Sequence, residues 1–419
     1  MSSATSQEYK EITDEINANF SVVDSTICAL KSELSKGEFN TSYVFISQNV
    51  KHVVSYIQRA LENILSKAKN FGNIWVSSPL QMFAYRGNPI VIYEYRDTIR
   101  EFSESVRAIV SNLYTNVGKT LAAYILVYET LEKFGFKPPF VLVESSEFSS
   151  QNLIDFVFDE FETIGPRVEY EPSKSQVITY SGIDVSETLS LLIVGHESFH
   201  IIDRLGGVFD GFCRATGFNG GKRCREALVD VMSTLYFGPV YAYAMQRHFE
   251  KRYPLSGESH MEMNIRLLAL DYLISVLGIG KGNEAQAQRL TSFIKLLEKR
   301  MDKDALENAR NDRKQLDMML DKGIIGYVKN YFKGNGISTY EEFVKVVEKR
   351  EFDSDHEKID RERIRFMLRK EIPAAVRPTT LLNALYGSGD IDMIDSRLIT
   401  ASFKKWYVKR YYEKSLEKK

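Results

Sequence analysis

Near the middle of the 419-residue chain runs Gly195-His196-Glu197-Ser198-Phe199-His200, a His-Glu-x-x-His pattern. In a helix, positions four apart lie one above the other on a single face. His196 and His200 can then direct two imidazole nitrogens at one metal ion. Glu197 lies next to that face, where its carboxylate can take a proton from an attacking water. A pattern this short arises by chance on the order of 0.01 times in a chain with six histidines. Its surroundings therefore have to decide.

Those surroundings predict the helix. Asp184 can cap its start, Glu187 can reach back, and no proline interrupts Ser186 to Arg204. Leu189, Leu191, Leu192, Ile193 and Val194 make it apolar nearly all round, as in a helix buried in a core. Gly206-Gly207 is placed to end it. Catalytic zinc usually takes three protein ligands and leaves one position for water, so a third donor is needed. Arg225 to Val231 lies in a second helical pattern, where Glu226 and Asp230 share a face. Glu226 can complete a His-His-Glu set. Asp230 can hold the second nitrogen of a ligating histidine and fix its tautomer. The expectation is one zinc ion per chain, held by His196, His200 and Glu226. The competing account makes His196 and His200 buried polar residues satisfied by carboxylates.

His-Glu-x-x-His followed by Glu-x-x-x-Asp resembles the gluzincin zinc metallopeptidases. Over residues 190–235 the style is closest to the branch containing the helical oligopeptidases and angiotensin-converting enzyme. The aminopeptidase motif Gly-x-Met-Glu-Asn is absent. The resemblance implies a mainly α, helical two-lobed metallopeptidase, with a small β-sheet just before the active-site helix. It also implies hydrolysis of internal bonds in short or unfolded peptides, with Glu197 as general base. An edge strand of the sheet would bind the substrate backbone. Family members usually stabilise the oxyanion with a tyrosine or histidine from the C-terminal half. Tyr386, between Leu385 and Gly387, is one candidate; Tyr340, His260 and Tyr236 are the others. With 23 tyrosines in the chain, a packing role competes at each tyrosine.

The 55 basic and 56 acidic residues give a net charge of −1, which exerts no global pull on nucleic acid or an anionic membrane. No segment offers the roughly 18 apolar residues that a membrane span needs, and residues 1–8 show no basic start followed by an apolar run. A cytoplasmic, non-membrane protein is expected, with peptide or unfolded protein as its partner and no nucleic acid. Cys28, Cys213 and Cys224 are too few for a disulfide framework, though Cys213 and Cys224 could form one staple. The other account of the site is a catalytically silent zinc-binding scaffold, for which Glu197 would have no use.

Three regions are expected: 1–138 helical, 139–252 the catalytic core, and 253–419 helical. Ile12, Ile16, Phe20, Val23 and Ile27 recur at helical spacing within 8–34, and a similar pattern covers 41–68. Residues 93–134 read as two helices interrupted near Gly118. Strands are expected at 140–143, 167–170 and 176–180, with a helical stretch at 150–163. The glycine-rich stretch 201–225 reads as a flexible crossover loop. A break at Gly238-Pro239 precedes helices at 241–252, 261–277, 284–301, 304–322, 339–349 and 356–369. The tail 404–419, with seven basic and two acidic residues among four aromatics, reads as an amphipathic terminal helix.

Overall fold

The computed structural model describes residues 6–36, parts of 96–107, 117–136, 140–145, 149–152, 176–181, 188–251, 261–277 and 284–340. The helices expected at 41–68 and 356–369, the strand at 167–170, the tail at 404–419, His260 and Tyr386 lie outside the described residues. The chain forms two compact units, Met1–Gly118 with Pro138–Tyr180, and Lys119–Lys137 with Ser181–Lys419. The described residues are mostly helical.

In the first unit, helix α1 (Ser6–Lys36) buries Ile12, Ile16, Phe20 and Val23, the stripe that its spacing predicts. Three short strands, β1 (Phe140–Ser145), β2 (Ser149–Asn152) and β3 (Gln176–Ser181), follow the hydrogen-bonded order β1-β3-β2. Strand β2 runs antiparallel to β3, with Ser149 opposite Thr179 and Asn152 opposite Gln176. The expected helix at 150–163 is therefore corrected at its start. Ser149–Asn152 carries no apolar helical period, and its backbone groups are satisfied by pairing with β3 instead.

The second unit takes in α2 (Val117–Lys133) from Lys119 onward and continues with the His-Glu-x-x-His helix α3 (Thr188–Gly206). Leu191, Leu192, Ile193, Val194, Phe199, Ile201 and Ile202 are all buried, as a helix apolar all round requires. The expected loop at 201–225 is corrected, because most of it is helical. Helix α4 (Val208–Thr216) starts after Gly207, whose φ of 59° turns the chain sharply out of α3. Val208, Phe209 and Phe212 then bury one face, and Phe212 meets Tyr327 edge-on. Local glycine content suggested flexibility; apolar residues between the glycines supplied enough burial to order the segment.

Helix α5 (Lys222–Phe237) packs against α3 and is buried from Glu226 to Phe237. It stops at Gly238, whose φ of 85° and ψ of −167° suit glycine alone. Pro239 then opens α6 (Pro239–Lys251), which packs on both α3 and α5. Helices α7 (Met263–Leu277), α8 (Glu284–Arg300) and α9 (Lys303–Asp321) follow as the periodicity predicts. Helix α10 (Ile324–Gly334) lies between expected elements and was not foreseen; it buries Ile324, Val328 and Phe332 along one face. Among the described residues, no helix is long and apolar enough to cross a membrane.

Candidate metal centre

Helix α3 supplies His196 and His200, and α5 supplies Glu226. The two Nε2 atoms are 3.2 Å apart. The Glu226 carboxylate straddles them, with Oε2 3.6 Å from His196 Nε2 and Oε1 3.3 Å from His200 Nε2. Four ligands held tetrahedrally at zinc–nitrogen distances near 2.1 Å stand about 3.4 Å from one another. The three donors already have nearly that spacing, and one ligand atom from each lies within 4.8 Å of the others. Two imidazoles and a carboxylate are also a donor set that zinc accepts. The residues fit the ion.

The close approach of α3 and α5 that creates this spacing has a local cause. A Cβ at Gly195 would lie 2.5 Å from Cζ of Phe237 on α5, so the absent side chain lets the two helices meet. At the far end of α3, Asp203 accepts the Phe209 backbone N–H at 2.7 Å and Arg225 Nη1 at 3.0 Å. Arg225 also donates to Asp210 at 2.8 Å and lies over the Phe209 ring. One guanidinium thus ties α3, α4 and the first turn of α5 together, next to Glu226.

Burial acts to lower the His200 pKa, but the neighbouring Glu226 and Glu197 carboxylates outweigh it, and the group is raised to about 9. The ring is therefore protonated near neutral pH when no metal is bound, with a proton in the place that a cation would take.

Behind His196 lies a second set of polar groups. Tyr241, from α6, puts its hydroxyl 2.6 Å from His196 Nδ1 and 2.7 Å from Asp230 Oδ1. Its ring runs nearly parallel to the imidazole, at 11°. Ser233 Oγ is 3.3 Å from the same Nδ1. Arg266 of α7 donates from Nε and Nη2 to the two Asp230 oxygens, each at 2.9 Å. Burial pushes the Tyr241 phenol up, and the Asp230 charge adds to it. Burial works against the charged Arg266, but Asp230 and Glu226 outweigh it and hold its pKa above the ordinary value.

Of the residues expected to act, His196, His200 and Glu226 converge, and Glu197 is buried beside them, close enough to act on His200. The expectation that Asp230 holds His196 directly is modified, since its Oδ1 is 3.5 Å from Nδ1 and the Tyr241 hydroxyl reaches both. Tyr236 is buried among Phe134, Phe199, Phe237 and Phe332, a core position. Tyr340 is the last described residue of its segment. Cys213 and Cys224 are both free thiols, and burial raises Cys224 to about 11. Sequence reasoning missed Tyr241 and Arg266. A signal existed for Arg266, a lone cation in the apolar run of α7, because buried arginine needs an anionic partner. Tyr241 carried none, because it comes from a separate helix beyond the Gly238 turn.

No protein-family model, curated protein or solved structure matches this chain.

Proposed function

We propose that this chain is a zinc-dependent peptidase that hydrolyses internal bonds of short or unfolded peptides. The observation that carries the reading is the convergence of His196, His200 and Glu226, with Glu197 beside them on the same helix. Zinc held by these three residues would act as a Lewis acid and bring the pKa of a water towards roughly 7. Glu197 takes the proton of the attacking water and returns it to the leaving amine. Its burial supports this role, because a carboxylate shielded from bulk water has few competing partners. Asp230 acts at one remove, holding the His196 ring through Tyr241. On this reading the helical chain is a two-lobed gluzincin working in the cytoplasm.

The test is Glu197→Gln, nearly isosteric but unable to accept the proton. Zinc content and thermal unfolding should match the parent, while cleavage of a quenched peptide library should fall about 10²–10⁴-fold. Equal turnover by the two proteins would remove Glu197 as the base. A parent protein that binds zinc and cuts no peptide would replace the peptidase by a metal-binding scaffold.

A further inference from the structure

The hydrogen bonds behind His196 form a series whose direction is set at its far end. Arg266 is buried, permanently charged and without a lone pair, and it donates twice to Asp230. A carboxylate beside that charge is an acceptor. The single phenolic proton of Tyr241 therefore goes to Asp230 Oδ1, 2.7 Å away. Only lone pairs of the Tyr241 oxygen then remain for His196 Nδ1 at 2.6 Å, so Nδ1 must carry the hydrogen. Ser233 Oγ, 3.3 Å from that nitrogen, offers it a second acceptor. The Nε2 lone pair is thereby left on the side of His200 and Glu226.

We infer that Tyr241 and Arg266 are positioning residues that lock His196 in its Nδ1–H tautomer, with the Nε2 lone pair presented before any metal arrives. Asp230 alone is not placed for this, since its 3.5 Å separation from Nδ1 exceeds a good N–H···O hydrogen bond. Tyr241 closes the gap, and its ring lies nearly parallel to the imidazole, at 11°. Arg266 has its own seat, over the Phe249 ring and 3.6 Å from Glu226 Oε2, so the series is anchored independently of His196. The same guanidinium thus faces the carboxylate behind one ligand and the carboxylate that is another. Tyr241 stands three residues after Gly238, so the turn between α5 and α6 delivers the hydroxyl. The use of the tautomer rests on the zinc reading above, but its existence does not.

The experiment records two-bond proton–nitrogen correlations of histidine-labelled, metal-free protein in alkaline buffer. His196 is assigned from its loss in His196→Gln. The full-length parent should show His196 as Nδ1–H, and Tyr241→Phe should show a mixture or Nε2–H. Zinc affinity of Tyr241→Phe, measured against a chelator, should fall about 10–100-fold, the usual effect of losing a partner of a metal-bound histidine. An Nε2–H tautomer in the parent overturns the inference without any variant, so it stays testable even if Tyr241→Phe fails to fold. Unchanged tautomer and affinity in a folded Tyr241→Phe overturn it too, while leaving the zinc site intact. A parent that takes up no zinc, yet loses its Nδ1–H tautomer in Tyr241→Phe, keeps the relay and sinks the zinc reading alone.

Discussion

Metal uptake at this centre should be a competition between zinc and a proton on His200. Its pKa rises from the ordinary 6.5 to about 9, where burial opposes the protonated ring but Glu226 and Glu197 favour it more strongly. That rise corresponds to about 3 kcal/mol of stabilisation of the protonated ring in the folded, metal-free protein. A folded pKa above the unfolded one contributes stability that is complete below pH 6.5 and is lost as pH rises through about 9. The metal-free protein should therefore lose up to about 3 kcal/mol between pH 6.5 and 9 from this group. Zinc needs the neutral ring, so each ion bound must displace that proton. Apparent zinc affinity should climb about tenfold per pH unit between 7 and 9 and flatten above 9. The assay is zinc titration against a chelator of known pH dependence, with proton release followed by calorimetry in buffers of different ionisation enthalpy. Glu226→Gln removes the largest effect raising the pKa, so His200 of the metal-free variant, followed by NMR, should titrate below the parent's value of about 9. An affinity independent of pH between 7 and 9 in the parent would refute the proton-for-metal exchange.

Glu226→Ala should lose most of its bound zinc, because two imidazoles alone leave the ion short of the three protein ligands that such sites usually have; full occupancy by metal analysis would remove Glu226 from the ligand set. Gly195→Ala places a methyl 2.5 Å from Phe237 Cζ and 2.9 Å from Cε2, against a ring with no solvent exposure. It should cost about 1–3 kcal/mol in denaturant unfolding and weaken zinc binding by moving α5 away from α3, and parent-like stability would show that Phe237 has room to shift.

How much of this was legible in the sequence depends on the range of the interaction concerned. His196 and His200 are set by a local rule, since a helix places residues four apart on one face whatever surrounds it, and Glu197 adjoins that face. The apolar character of α3 likewise announced its burial, and the stripe of α1 announced its buried face. Glu226 and Asp230 were readable because they share a face by the same spacing, although their approach to the histidines was not. That approach depends on the Gly195 notch receiving Phe237, a contact between residues far apart in sequence. Local composition misled where burial overruled it, as in α4, whose flanking glycines suggested a loop while Phe209 and Phe212 anchored a helix. Tyr241 and Arg266 belong wholly to the tertiary level. Each is an ordinary residue within its own helix, and only the Gly238 turn and the packing of α7 on α5 bring them behind His196. Hydrogen bonds that cross between helices depend on where the helices cross, which no single segment encodes. The sequence by itself determined which atoms could bind a metal; the packing of α3, α5, α6 and α7 decided how far apart they stand and which nitrogen of His196 carries the proton.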